Sequence, residues 1–436
     1  MGDKIKVNNS IIKAQGKEKD TKLRWNFAMG LLHGAFFLGG RAFGNPDTIL
    51  PVFLSNFSSS KILVGLSSSI FGSLGGIAGI LPQIFVASRL ENKVHKRPVL
   101  RMAITIRALC WGLLSFVTYL FAISHPHVTV FSLFFLLILF TFMGGIAVIP
   151  FMDIWGKAIP STLRGRFFGH RQLWGGIFAV GSGYITRVIL GSKKLHFPEN
   201  YALLFLFAFI FMSISYLALG SIKEPVEETY KNRLSIKEFL RKAFKILKSD
   251  RDYMKFLTVQ ILAGASSLAL PFYVLYAKDI LKIKLGMIGT FLLAQMVGNV
   301  LSNILWAHLS DFVGNRRVIQ VSTFLGLLVP VIALITPPHL PVLFIPLFVL
   351  TGFFIAGSII GKTNFLLDIA PSKDRLTYIS LNGTLTFPIS IFPLIGGIVI
   401  QHISYTFLFI ITLLIVLVGF MLSFRLNDPR ENGINI

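Results

Sequence analysis

Ionisable and amide side chains set inside otherwise apolar stretches are the residues of this 436-residue chain that could do chemistry. Arg41, Asp47, Arg107, Asp153, Lys157, Lys362 and Asp368 fall within, or at the ends of, runs of about 20 apolar residues, long enough to cross a bilayer as helices. A charge in such a run is costly unless it faces a cavity or a partner. Arg41 lies about 25 Å along the first run by the helical rise. Asp47 sits just beyond it, and Gly39, Gly40, Gly44, Pro46 and Pro51 surround both. Two arrangements satisfy that pattern: a broken helix lining a pathway, or an Arg41–Asp47 pair near the outer surface with Arg41 snorkelling. Gln260, Gln295, Asn299 and Asn303 place amides in two further runs, and the last three recur every fourth residue on one helical face. Such a face suits a water-filled cavity or hydrogen bonds between helices. His33 offers a proton site or a packed, hydrogen-bonded ring.

None of this reads as catalysis. The chain has no phosphate-cradling Gly-x-x-x-x-Gly-Lys-Ser/Thr loop, no His/Glu metal motif and no nucleophile paired with a base at a recognisable spacing. No cofactor or metal is therefore expected. The single cysteine, Cys110, excludes an intrachain disulfide.

The elements that must position these residues are membrane helices. With 54% hydrophobic residues, 14% charged residues and a mean hydropathy of +0.72, the chain is too apolar for an ordinary soluble domain. Apolar runs bounded by charge or Gly/Pro clusters number about twelve. Their limits are near Asn26–Ser55, Ile62–Ala87, Val99–Ile123, Val128–Trp155, Leu173–Leu190, Tyr201–Leu219, Phe256–Tyr276, Leu285–Leu309, Val318–Ile335, Pro341–Ile360, Leu376–Val399 and Tyr405–Phe424. Pro51, Pro150, Pro271, Pro330 and Pro388 predict kinks, with cavity-lining breaks expected in the first, fourth and seventh helices.

The formal charge of +23 is distributed by side, which speaks for a membrane and against nucleic acid. Lys93, Lys96, Arg97, Arg164, Arg166, Arg316 and Arg317 share one side with the basic N-terminal tail, while the opposite loops hold little beyond Lys61, Lys193, Lys194, Lys278, Lys282 and Lys284. Both termini are then expected in the cytoplasm. The first apolar run follows some two dozen polar residues, so a signal anchor is expected rather than a cleaved signal peptide. The chain divides into a tail (1–24), a first bundle (25–222), a polar linker (223–255), a second bundle (256–426) and a C-terminal tail (427–436). In the linker, Ile236, Phe239, Leu240, Phe244 and Leu247 recur at helical spacing among basic residues, behind a Ser235/Glu238 capping box. The expectation is an amphipathic helix over 235–253, lying on the anionic cytoplasmic leaflet or forming a solvated connector.

The two bundles repeat one pattern. Gly44, Pro51, Glu91, Lys96 and Arg97 reappear as Gly264, Pro271, Asp311, Arg316 and Arg317, about 220 residues on. Pro160 to Arg164 likewise corresponds to Pro371 to Arg375, which sets Asp153 opposite Asn364 and Lys157 opposite Asp368.

The short loop Ala307-His308-Leu309-Ser310-Asp311-Phe312-Val313-Gly314-Asn315-Arg316-Arg317 needs Gly314 for a tight turn, Asp311 at a helix end and two arginines to hold the turn in the cytoplasm. It resembles the signature loop of the major facilitator superfamily, Gly-x-x-x-Asp-Arg-x-Gly-Arg-Arg/Lys, with Ala307, Phe312 and Asn315 as departures. The first-half copy, Ala87 to Arg97, keeps Glu91 and the basic end.

The resemblance implies an all-α polytopic membrane protein of 12 transmembrane helices in two pseudo-symmetric six-helix bundles that rock about a midplane site. It implies a permease in the cell membrane that moves a small solute by alternating access, as a monomer, with H+ or Na+ as a coupling ion. It also implies a cytoplasmic latch of Asp311, Gly314, Arg316 and Arg317, and of Glu91, Lys96 and Arg97 in the first half. The superfamily's usual fourth-helix arginine has no match among Phe140 to Ala147. Third helices are peripheral in that superfamily, so Arg107 is expected in an intramembrane ion pair, with substrate contact as the alternative; Asp153, Lys157, Lys362 and Asp368 are expected in gate or interdomain pairs, with direct substrate or proton binding as the alternative. Arg41, Asp47, Gln260, Gln295, Asn299 and Asn303 remain the substrate-cavity candidates. A non-transporting receptor or assembly platform on the same fold is the competing expectation.

Overall fold

Backbone in hydrocarbon must bond to itself, which leaves helices as the form open to these apolar runs. A computed structural model of the chain bears this out: it describes residues 2–72, 76, 77, 79, 97–224, 236–371 and 374–427, and among them the secondary structure is helical with no strand. The helices are α1 (Gly2–Phe43), α2 (Ile49–Leu54), α3 (Lys61–Ile70), α4 (Arg97–Phe121), α5 (Pro126–Ala158), α6 (Ser161–Gly191), α7 (Glu199–Gly220) and α8 (Ile236–Ser249). They continue with α9 (Arg251–Gly264), α10 (Leu270–Asp279), α11 (Leu285–Phe312), α12 (Asn315–Ile335), α13 (Ile345–Ile369), α14 (Arg375–Leu385), α15 (Pro388–His402) and α16 (Tyr405–Ser423). Among the described residues ten helices are long and apolar enough to cross a membrane, counting α9 with α10 and α14 with α15 as one each. The first expected span is α1 and α2 together. The second opens with α3, and most of its remainder lies outside the described residues.

The repeated glycine marks a real break in each half. In the first, α1 stops at Phe43, and Asn45 Oδ1 accepts from the backbone N–H groups of Asp47 (2.9 Å) and Thr48 (3.0 Å) before α2 begins. A short asparagine side chain thereby bonds the peptide groups that the helix has released. In the second, α9 ends at Gly264, a 3-10 turn covers Ala265–Leu268, and α10 resumes ahead of Pro271. The expected break in the fourth helix does not occur: α5 runs unbroken through Pro150. Proline removes one donor, and in lipid the remaining peptide groups keep their helical partners. The third break falls instead in the eleventh span, between α14 and α15 at Thr386 and Phe387.

The two halves are built alike. Packing of α4 on α5, α4 on α7 and α1 on α7 in the first is matched by α12 on α13, α12 on α16 and α9 on α16 in the second. Hydrocarbon offers no hydrophobic drive between helices, so close packing carries them, and small residues permit it. At Gly44 a β-carbon would run into the ring of Trp111, which is 1% exposed and edged by Phe71, Phe140 and Phe205. Gly44→Val is accordingly expected to destabilise the protein by about 1–3 kcal/mol, the usual range for overpacking. A clear fall in the melting midpoint of the purified protein would register this; an unchanged midpoint would mean that the break repacks freely.

The linker helix is shorter than its expected span. Asp250 ends it by capping α9, accepting from Tyr253 N–H at 2.9 Å and from the Tyr378 hydroxyl at 2.6 Å. Ile246 is buried with Tyr253, Tyr378 and Leu381, and Lys242 pairs with Asp374 at 3.0 Å, so α8 docks on the second half.

Candidate functional site

Between the halves lies a cavity of about 610 Å³. α1 supplies Phe37 and Arg41, α4 supplies Arg107, and α5 supplies Phe140, Thr141 and Gly144. From the second half come Gln260 of α9, Ser358, Lys362 and Thr363 of α13, and Thr386, Ile389 and Ser390 around the α14–α15 break. Of the helix breaks, the one between α14 and α15 turns side chains toward this space, the setting in which irregular backbone is tolerated at membrane depth.

Its charge is one-sided. Arg41, Arg107 and Lys362 line the cavity, and no carboxylate does so among the described residues. Arg41 donates to the Gly72 carbonyl at 3.1 Å and lies over Phe71, its guanidinium carbon 5.3 Å from the ring centre. Arg107 rests on Phe140 at 4.2 Å, with Tyr216 at 5.6 Å and Phe37 at 5.8 Å. Gly144 leaves room for it: a β-carbon there would stand 3.3 Å from the guanidinium carbon. Aromatic faces stabilise a desolvated guanidinium without neutralising it. Instead of the expected ion pair, then, Arg107 is a half-buried cavity cation whose Nε has no hydrogen-bond partner. Lys362 likewise lines the cavity and forms no salt bridge with a described carboxylate.

One end of the space is sealed. Asp279 of α10 accepts from Lys61 Nζ of α3 at 2.6 Å and from the Tyr405 hydroxyl at 2.8 Å. Gln401 accepts from Lys61 N–H at 2.9 Å, Lys278 reaches Ser55 Oγ at 2.6 Å, and Leu394 N–H donates to Ser69 Oγ at 3.1 Å. Glycines bring the backbones together along the same seam: Gly183 faces Leu293, Gly191 faces Gly286, and Gly289 faces Arg187. Toward the Gly314 face, by contrast, the lining residues Val148, Ile359 and Thr363 are exposed.

The Gly314 turn has the geometry its sequence required, with Gly314 at φ 111°. The residue that organises it is Asn315, which accepts from Ser310 Oγ and donates to Asp368 Oδ2, both at 2.6 Å, while Asn364 donates to Ser310 Oγ at 3.4 Å. Asp368 therefore holds the turn to α13 through a neutral amide, not the expected ion pair. Arg316 donates to the Phe424 carbonyl at 2.9 Å, and Arg317 to Gln320 at 3.0 Å. In the first half Arg97 donates to the Gly220 carbonyl at 2.8 Å. A basic residue thus caps the last helix of its own half in both copies, where the helix dipole favours a cation. Glu91 and Lys96 lie outside the described residues; Asp311 is exposed at the end of α11.

Of the cavity candidates, Arg41 and Gln260 line the space, and Asp47, Gln295, Asn299 and Asn303 do not. Asp47 is buried beneath it and receives Gln295 Nε2 at 3.4 Å, across the two halves. The Gln295–Asn299 backbone packs on Gly352, and Asn303 turns back to the Asn299 carbonyl at 2.9 Å, so this polar face joins helices. Asp153 and Lys157 pair with each other at 2.7 Å, one turn apart. His33 is bonded to Ser215 Oγ at 2.6 Å. Phe37, Phe140, Ser358 and Thr386 are cavity residues that sequence reasoning missed, because phenylalanines and hydroxyls in apolar runs carry no signal of which way they face. Proline at 388 was the one usable hint.

Fold and cavity define a polytopic membrane protein of two helical bundles around a central site. The sequence profile described as Major Facilitator Superfamily matches residues 256–435. No curated protein matches the chain by sequence. Among solved structures, the nucleoside transporter NupG is similar with a TM-score of 0.67 at 14% identity, covering 94% of this chain and 100% of that one. A bacterial homologue of the iron transporter ferroportin, in an inward-facing state, gives 0.66 at 14% identity over 92% and 98%. A bacterial homologue of the human lysosomal transporter Spinster gives 0.61 at 11% identity over 94% and 97%. The profile match is confined to the second half of the chain, and the solved structures share its fold over nearly its whole length.

Proposed function

We propose that this protein is a secondary transporter of the cell membrane that moves a small solute by alternating access. The observation that carries the reading is the central cavity, sealed between the halves at the Lys61 end and exposed toward the Gly314 face. The Gly314 face is the cytoplasmic one, because Arg97, Arg164, Arg166, Arg316 and Arg317 all gather there. The conformation is then inward-facing. Transport requires the Lys61 seal to open while the other end closes, and the short capped turns keep each half rigid as it rocks. A solute gradient, or one of H+ or Na+, supplies the drive.

A double variant, Lys61→Cys with Asp279→Cys in a Cys110→Ala background, tests this. A short thiol-reactive cross-linker should abolish solute exchange in proteoliposomes, and cleaving the linker should restore it. Exchange that continues undiminished in the cross-linked protein would refute alternating access.

A further inference from the structure

We infer that the cavity binds a small organic anion carrying about two negative charges, such as a phosphate monoester or a dicarboxylate. The inference rests on reading this space as the solute site. Arg41, Arg107 and Lys362 all line it. Asp47, buried outside the lining, is the carboxylate whose charge reaches Arg41. Among the described residues no carboxylate forms a salt bridge with Arg107 or Lys362. Desolvated like charges repel strongly where water is scarce, and an arrangement that leaves two of them exposed to one space is stabilised when an anion enters. Arg107 is already aimed for this: aromatic rings hold its plane, and its buried Nε has no hydrogen-bond partner. A planar guanidinium fork matches carboxylate or phosphate oxygens in pairs.

The remaining lining decides the body of the solute. Gln260, Ser358, Thr363, Thr386 and Ser390 give the second half a wall of amide and hydroxyl groups, opposite the Phe37, Phe71 and Phe140 rings of the first. An anion with a hydroxylated or carbonyl-bearing face and one flatter, less polar face fits between them. About 610 Å³ is within the usual range for sites that enclose small molecules.

The test is ligand binding to the purified full-length protein, read as thermal stabilisation and by calorimetry, and it needs no transport. Glycerol phosphate, succinate, glucose and choline serve as probes at millimolar concentration. At least one of the two dianions should stabilise the protein, while glucose and choline should not. Arg107→Gln and Lys362→Gln should each weaken dianion binding at least tenfold, and Arg107→Lys should retain part of it, with ligand-free melting reporting whether each variant is folded. The proposal is overturned if neither dianion binds, if the neutral or cationic probe binds better, or if folded Arg107→Gln binds as the parent does. Binding of a dianion in protein that fails the cross-linking test would refute transport and leave the anion site standing.

Discussion

Gly289→Val should reduce solute exchange at least tenfold while leaving each half folded. Gly289 lies on α11 where it meets α6, and a β-carbon there would collide with the backbone of Arg187, whose own Cβ would be 2.9 Å away. A side chain in the way can change rotamer; a helix backbone cannot. The collision is relieved only by moving α6 from α11, which opens the Lys61 end along the seam that Gly183 and Gly191 also form. Overpacking of this kind costs about 1–3 kcal/mol, and because on the proposed alternating-access cycle it acts on the state with the Lys61 end closed, it shifts the population by about 5- to 150-fold. A cysteine placed at Thr363 should then label more slowly from the cytoplasmic side. Parental labelling and exchange rates together would show that the seam is not part of the motion.

Asp279→Ala attacks the same state through charge. It removes the acceptor of both Lys61 and Tyr405, in a site where the Lys61 and Asp279 side chains are 17% and 31% exposed. Hydrogen bonds to a charged group contribute about 1.5–3 kcal/mol each, and discounting for partial solvent screening leaves about 1–2 kcal/mol for the cluster. The variant should favour the outward-open form by about tenfold, with the effect diminishing at high salt as screening weakens the parental pair. Lys61→Ala should add little on top of Asp279→Ala, since the two act as one pair. Additive effects in the double variant, or no change in cysteine accessibility, would exclude Asp279 as a closing contact.

The two seals illustrate what could be read ahead of the structure. Apolar runs, the side-alternating positive charge and the repeated Gly/Pro register predicted spans, halves and the first and seventh breaks, because a bilayer imposes length and backbone satisfaction on any sequence. The Gly314 turn was legible for a similar reason: few residues other than glycine adopt its φ. Pairings between helices were not legible. Nothing in the chain tells that Lys61 meets Asp279, some 218 residues away, or that Asn315 reaches Asp368.

Arg107 marks the boundary between the two kinds of knowledge. The sequence by itself determined that a permanently charged side chain stands within an apolar run and must be compensated, since burying it alone is too costly. Tertiary structure decided how: Phe140 of α5 and Tyr216 of α7 hold the guanidinium, Gly144 makes its space, and it turns to the cavity. The periodicity of one helix fixes which residues share a face. Which neighbour that face meets depends on six helices packing at once, and that is settled only when they have come together.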